Sequence, residues 1–331
     1  MAQLIIFDME WNMGYQPKNF RYKGVEQVLR GEIIQIGAVK MEGQEIRDTF
    51  QATLEPRIFR RLHHHVAKVT GLTQADLDHG MPIAEGLKKF MDWCGPDAAL
   101  GEWGLDDVPV LKQNLVLVGL DERWPRKWYD LQRVYTAQRP RQKGESMNLE
   151  SLVERLGIPK EEAFHDALAD AMYTAKVCQF VDIEKGLAVY PDEAGQLKEL
   201  LCPPDKERQD FRVWSGYVDG ETWSTDAEMR GAVCPDCGAP LVLDKDDIWL
   251  RRGNNCLYSM GTCKEHGPVL IWLRRSRTDG LHYTFARAVE KADEEGQARW
   301  KKEKRAALER ARRKREREAA EAMLRVKNAG R

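Results

Sequence analysis

No apolar run in this 331-residue chain approaches the length of a membrane span. Only four apolar residues, Leu4 to Phe7, precede the first acid near the N-terminus, too few for the core of a signal peptide. Membrane association and secretion are therefore not expected. No internal repeat is present, which argues against a solenoid. Cysteine is scarce and odd in number: of seven, Cys234, Cys237, Cys256 and Cys263 share one short stretch. That distribution argues against a disulfide framework and reads as metal binding in a reducing compartment, so the cytoplasm is the expected location. Proline is missing from residues 290–328, which are dominated by Ala, Glu, Lys and Arg and read as a long solvated helix. A strong overall charge is lacking too, since the formal net charge is −1. It is unevenly spread: residues 301–331 hold 13 Lys/Arg against 5 Asp/Glu, a net of +8, which leaves −9 on the rest. An acidic body with a basic tail suits a protein that handles a polyanion while keeping carboxylates in its active site.

What is present begins with two acids one residue apart, Asp8 and Glu10, in the apolar run Leu4-Ile5-Ile6-Phe7-Asp8-Met9-Glu10-Trp11. A strand alternates faces, so both carboxylates point the same way. They repel each other unless a cation lies between them, and oxygen ligands of this kind suit Mg²⁺ or Mn²⁺. Residues 11–30 read as a loop. Glu32–Met41 and residues 45–54 read as strands that complete a meander. Thr73-Gln74-Ala75-Asp76 reads as a helix start, and Ile83–Trp93 has helical period. Ala98–Trp103 reads as a short strand and Trp128–Val134 as strand or helix. Asn148–Leu156 and Asp166–Val181 read as helices. Strands mixed with helices behind an antiparallel meander predict a mixed α/β sheet.

Two further segments carry acids: Trp103-Gly104-Leu105-Asp106-Asp107-Val108-Pro109-Val110-Leu111 and Phe164-His165-Asp166-Ala167-Leu168-Ala169-Asp170. Asp166 is placed to cap a helix, and Asp170 follows one turn later on an apolar face, where an acid is costly without a partner. His165 sits in the loop at the helix mouth, where an imidazole can move a proton near neutral pH. Phosphodiester hydrolysis uses such a set: carboxylates to hold two divalent ions about 3.5–4 Å apart, and a base to take a proton from water.

This order of motifs resembles the DEDDh branch of the DnaQ-like 3′–5′ exonucleases: Asp8-x-Glu10, an Asp after Trp-Gly, then His165-x₄-Asp170. Glu32-Ile33-Ile34-Gln35-Ile36-Gly37 and Val69-Thr70-Gly71-Leu72-Thr73 add to it. The resemblance covers residues 3–182 and implies an RNase H-like fold. It implies that Asp8, Glu10, Asp107 and Asp170 hold two Mg²⁺ or Mn²⁺ ions and that His165 is the general base. Asp107 is preferred to Asp106 because the pattern Trp-Gly-x-x-Asp-x-x-x-Leu ends on Leu111. The Trp-Gly form looks more like the RNA-processing subgroup than like polymerase proofreaders. Trp11 and Asn12 replace the small hydroxyl residues of many relatives at the substrate-contacting positions, and Trp11 is suited to stacking on a base.

Farther on, Cys234-Pro235-Asp236-Cys237-Gly238 and Cys263-Lys264-Glu265-His266-Gly267 form a C-x₂-C-x₂₅-C-x₂-H pattern. Three thiolates and an imidazole suit one structural Zn²⁺, with Cys256 an alternative to His266 as fourth ligand. The module resembles a zinc ribbon, with strands expected near 240–250, 256–262 and 268–275. The run His63-His64-His65 is less suited to a metal, because adjacent residues in a loop diverge and no acid or thiol is near in sequence. The expected organisation is a 3′–5′ exonuclease domain at 1–182, a linker with a short helix at 183–213, a zinc-ribbon-like domain at 214–289 and a basic helix at 290–331. The expected activity is release of nucleoside 5′-monophosphates, with RNA preferred to DNA and a protein partner for the ribbon or the C-terminal helix. The alternatives are a non-catalytic nucleic-acid-binding adaptor and a DNA-polymerase proofreading exonuclease.

Overall fold

Nearly continuous burial along residues 4–7 and 32–39 sets the frame. The computed structural model describes residues 3–140, 145–253 and 255–329. They divide into two units: one runs to Tyr190 and takes in Arg277–His282, and the other comprises Pro191–Ser276 and the chain from Tyr283. Among the described residues no helix is long and apolar enough to cross a membrane.

The first unit opens with β1 (Leu4–Asn12), a hairpin of β2 (Asn19–Tyr22) and β3 (Val25–Val28), and the meander strands β4 (Glu32–Glu42) and β5 (Glu45–Glu55). Short helices α1 (His64–Thr70) and α2 (Gln74–Asp78), strand β6 (Met81–Pro82) and helix α3 (Ile83–Cys94) follow. Next come β7 (Ala99–Glu102), α4 (Asp107–Val118), β8 (Lys127–Asp130), α5 (Leu131–Gln138), α6 (Leu149–Arg155), α7 (Ala167–Cys178) and α8 (Ile183–Ala188). The sheet order is β6-β5-β4-β1-β7-β8. β1 is antiparallel to β4 and parallel to β7, so the sheet is mixed, as expected. β1 and β4 are buried along nearly their whole length, because helices cover both faces of the sheet.

Two local readings change. Residues 11–30 are not simply a loop: β1 continues to Asn12, and β2 and β3 form a hairpin. Its turn is Lys23-Gly24, both at positive φ (46° and 84°). That is the twist a two-residue hairpin needs, but a lysine in the first turn position does not announce it as Asn-Gly would. Trp128–Val134 is both strand and helix, divided at Asp130, whose carboxylate caps α5 by accepting from the Arg133 N–H.

The motif Glu32–Gly37 is scaffold. The Glu32 carboxylate accepts hydrogen bonds from the backbone N–H groups of Arg57, Ile58 and Phe59 at 2.9, 2.6 and 2.6 Å. Gln35 accepts from Ala167 N–H at 3.1 Å and donates to Asp166 at 2.9 Å, tying β4 to the start of α7. Gly37 lies opposite Asp8 in the β1–β4 pair. A Cβ there would stand 2.0 Å from the Leu168 nitrogen and 2.1 Å from the Ala167 carbonyl carbon. Only glycine lets the first turn of α7 close on the sheet this far.

The second unit contains α9 (Glu193–Leu201), β9 (Gln209–Tyr217), α10 (Ala227–Arg230), β10 (Val242–Leu243), β11 (Leu250–Arg251), β12 (Cys256–Cys263), β13 (Gly267–Ser276), β14 (Tyr283–Lys291) and α11 (Glu294–Ala329). Its sheet runs β10-β12-β13-β14-β9, with β11 paired to β12. The expected linker at 183–213 is therefore largely structured. Asp182 and Asp192 cap α8 and α9, Leu197 and Leu201 are buried, and β9 begins at Gln209 as an edge of the sheet. The expected strands near 256–262 and 268–275 are β12 and β13 of this larger sheet, whereas 240–250 is not one strand but the two-residue β10 and the start of β11. Helix α11 is not solvated from its start: Trp300 is buried in the second unit's core, and Lys304 pairs with Asp244 and Asp246.

Replacing Gly37 with Ala is expected to destabilise the first unit by about 3 kcal/mol or more, since an overpacked site must displace α7. A urea-unfolding midpoint equal to that of the unaltered protein would show that α7 does not depend on this contact.

Candidate active site and cysteine cluster

The sheet brings the distant acids together at one end of β1. Asp8 and Glu10 project from the same face, and a register shift between Glu10 and Trp11 follows them immediately. From the neighbouring parallel strand β7 the chain turns through Gly104 into α4, which carries Asp107 in its first turn. The Asp107 side chain is buried and accepts from the Met9 N–H of β1. Asp106 points outward and pairs with Arg30 at 3.4 Å. Asp107 is thus the inward acid of the two.

The remaining members come from α7. Asp166 caps it, accepting from Leu168 and Ala169 N–H at 3.1 and 3.0 Å. Asp170, one turn in, is buried. Its Oδ2 accepts from His165 N–H at 3.1 Å, while its buried Oδ1 has no hydrogen-bond partner. His165 is exposed and holds φ at +66°, an uncommon backbone state that sits here at the mouth of the acid cluster. Ligand atoms of Glu10, His165 and Asp170 lie within 4.8 Å of one another.

These acids are electrostatically crowded. Burial, then Asp107, Asp170 and Glu10, holds Asp8 well above the usual carboxylate range. Burial and the charges of Asp170 and Asp107 push Glu10 up to about 8. Burial pushes Asp107 up to about 7, opposed by the Met9 N–H. Burial likewise pushes Asp170 up to about 6, opposed by the His165 N–H and imidazole. An orphaned buried oxygen among four mutually repelling carboxylates fits a hard cation, and the all-oxygen set matches Mg²⁺ or Mn²⁺.

One contributor was missed from sequence. Glu102, at the end of β7, is fully buried and accepts from the N–H groups of Asp107 (2.7 Å) and Val108 (3.4 Å). It caps α4 where Asp106 makes no side-chain cap, and so fixes the backbone that bears Asp107. An acid closing a strand just before Trp-Gly was the available signal.

The two expected substrate contacts part company. Asn12 is fully buried, and its amide is spent on holding the 59–63 segment. It donates to the carbonyls of Phe59 (2.7 Å) and Arg61 (2.9 Å) and accepts from His63 N–H (2.9 Å). It has no group left for substrate, which corrects the expectation. Trp11 is half-buried, with its ring edge 2.4 Å from where a Cβ on Gly31 would stand. His64 stacks on Tyr15 and His63 lies tilted against it, with ring centroids 5.9 and 4.4 Å away.

In the second unit Cys234, Cys237, Cys263 and His266 converge, with ligand atoms within 4.8 Å of one another. His266 Nδ1 is 3.7 Å from Cys234 Sγ and 3.6 Å from Cys263 Sγ, and Cys237 Sγ is 3.7 Å from Cys263 Sγ. Backbone N–H groups of His266 and Glu265 aim at Cys263 Sγ and lower its pKa, as a knuckle turn does for a thiolate. Cys256 is not in this group: it packs against the core of the second unit. The fourth member is therefore His266.

A mixed sheet presenting clustered acids and a rim histidine is the kind of site that hydrolases use. Comparison with known proteins narrows it. The family model described as Exonuclease (RNase_T) matches residues 6–178, more than half of the chain, and the chain belongs to that family. Over 173 residues it is 31% identical to the PolC-type DNA polymerase III of Thermotoga maritima, covering 51% of this chain and 12% of that protein. Over 190 residues it is 27% identical to the probable 3′-5′ exonuclease KapD of Bacillus subtilis, covering 55% of this chain and 85% of that protein. The chain thus spans a small fraction of the PolC-type relatives' length. Among solved structures it is similar to E. coli exonuclease I in complex with a dT13 oligonucleotide (16% identity, TM-score 0.48, 83% of this chain and 55% of that one). It is also similar to the nuclease domain of 3′hExo bound to rAMP (23%, TM-score 0.45, 54% and 90%).

The raised pKa values carry a stability consequence. Without divalent ions, the folded chain keeps protons on these acids between about pH 4 and pH 8 that the unfolded chain has released. Stability from this site therefore falls as pH rises through that window. Metal-free protein is expected to lose melting temperature from pH 5 to pH 8, and Mg²⁺ or Mn²⁺ to restore it at pH 8. Asp8→Asn should flatten both effects in differential scanning calorimetry; the same slope in the variant would count against the crowding.

Proposed function

We propose that residues 6–178 form a 3′–5′ exonuclease that releases nucleoside 5′-monophosphates from single-stranded nucleic acid, RNA in preference to DNA. The observation that carries this reading is the cluster of Glu10, His165 and Asp170, with Asp8 and Asp107 in electrostatic contact with it and an unpartnered buried oxygen on Asp170. The four acids would hold two Mg²⁺ or Mn²⁺ ions. When bound, these ions supply positive charge to the scissile phosphoryl group and to the entering and leaving oxygens. His165 takes the proton of the attacking water on an imidazole nitrogen. Its backbone N–H is anchored on Asp170, which keeps the ring at the mouth of the cluster. Glu102 and Gln35 act through others: one holds the backbone at Asp107, the other the cap residue Asp166. Trp11, directly after Glu10, is the residue we assign to base stacking; Asn12 is not.

A second reading, a polymerase-associated proofreading role, draws on the 31% identity to the PolC-type DNA polymerase III. It requires a DNA preference and tight association with a polymerase.

For the second unit we infer one structural Zn²⁺ on Cys234, Cys237, Cys263 and His266, with the cytoplasm as the compartment that keeps the thiols reduced. Purified chain should contain about one zinc per molecule. Cys237→Ser and His266→Ala should each lower it and lower the melting temperature, while Cys256→Ser should leave the zinc content unchanged. Metal analysis showing equal zinc in all four proteins would remove the site.

For the nuclease, 5′-labelled single-stranded RNA and DNA incubated with Mg²⁺ or Mn²⁺ should shorten progressively. Asp8→Ala should abolish shortening, and His165→Ala should slow it by ~10²–10⁴-fold. No shortening of either polymer with any metal would leave the adaptor reading.

A further inference from the structure

The late segment Arg277–His282 folds into the first unit. Gln27 donates to the Leu281 carbonyl at 3.0 Å and Gln113 to the Gly280 carbonyl at 3.1 Å, and Leu281 is fully buried. This hook closes one side of an open cavity of about 380 Å³ whose other walls are the β2–β3 turn, the middle of α4 and the 122–128 segment. Lys23, Lys112, Arg123, Arg126 and His282 line it together with the acids Glu122 and Asp279, with Trp128 at its wall.

The cations are not all matched. Arg123 is held by Asp121 through contacts of 2.9 and 3.0 Å, and Lys23 lies 3.8 Å from Glu122. Asp279 is occupied by the His282 imidazole at 2.8 Å and by the backbone N–H groups of Leu281 and His282 at 2.9 and 2.7 Å. Lys112 and Arg126 have no ion pair among the described residues. Lys112 is only 5% exposed, and its ammonium rests 4.5 Å from the centre of the Trp128 ring. A cation–π contact offsets part of the cost of burying an ammonium, but it leaves the N–H donors free. A buried cation with unspent donors, aimed into a cavity with surplus positive charge, calls for an anionic oxygen ligand.

We propose that this cavity binds a phosphate group, with Lys112 and Arg126 as the principal contacts and His282 and Lys23 at its edge. It is not the scissile phosphate. Lys112 follows Asp107 by five residues on α4, which places it about 7.5 Å along the axis and about 140° around it. The phosphate has two possible sources, the backbone of a bound nucleic acid or a free phosphate compound, and both present the same oxygens. The nucleic-acid source rests on the proposed nuclease function; phosphate binding itself does not.

The test uses the full chain without added divalent ions. Calorimetric titration with inorganic phosphate should give saturable binding that weakens at least about tenfold in Lys112→Met and Arg126→Gln but stays within about threefold in Lys112→Arg. Circular dichroism melting establishes which variants fold; Arg126 is exposed, so Arg126→Gln carries the test if Lys112→Met does not fold. No saturable binding by the unaltered chain, or equal binding by the variants, overturns the site. In a second arm, a labelled single-stranded oligonucleotide is titrated against salt. A slope shallower by about 0.7 for each lost phosphate contact assigns the site to the nucleic-acid backbone. An unchanged slope with lost phosphate binding assigns it to a free phosphate compound.

Discussion

Four carboxylates crowd one end of β1, where burial first, and then neighbouring acids, make them costly to ionise. The surrounding fold resists that repulsion with neutral or already satisfied groups. Glu102 pins the start of α4, Gln35 and Gly37 dock α7 on β4, and the Met9 N–H reaches Asp107 from the strand that carries Asp8 and Glu10. The site is therefore held together by backbone donors and packing rather than by its own charges.

Residues that look alike in sequence divide into two kinds of work. Glu32 and Glu102 are buried acids that accept several backbone N–H groups, so their oxygens are spent on structure. Asp170 keeps one buried oxygen unspent, and that difference sets it apart from the scaffold acids. The same accounting separates Asp107 from Asp106, one turned inward and the other paired with Arg30 on the surface. It also removes Asn12 from the substrate surface and leaves Trp11.

Much of the site was legible before any coordinates. Asp8 and Glu10 announce themselves because a buried strand rarely carries two acids on one face, and His165 and Asp170 because a cap residue followed by an acid on an apolar helical face is costly. The spacing of the Cys-x₂-Cys and Cys-x₂-His halves points to one cluster, although only the fold chose His266 over Cys256. The β2–β3 hairpin was hidden by a lysine in its turn. The structured 183–213 segment was hidden by its charge and prolines, because the burial of Leu197 and Leu201 depends on a sheet assembled mostly from later residues.

By itself, the sequence determined the mixed α/β class of the first unit, the identities of its inward acids and the pairing of the two cysteine knuckles, because period and spacing encode which side chains share a face or a turn. Tertiary structure alone decided which buried polar groups are already satisfied: the capping role of Glu102, the loss of Asn12 to the loop it holds, and the return of Arg277–His282 to a unit that otherwise ends at Tyr190. Those outcomes depend on hydrogen bonds between residues far apart in the chain, 254 positions in the case of Gln27 and Leu281, and no local pattern in a chain records contacts made at that range.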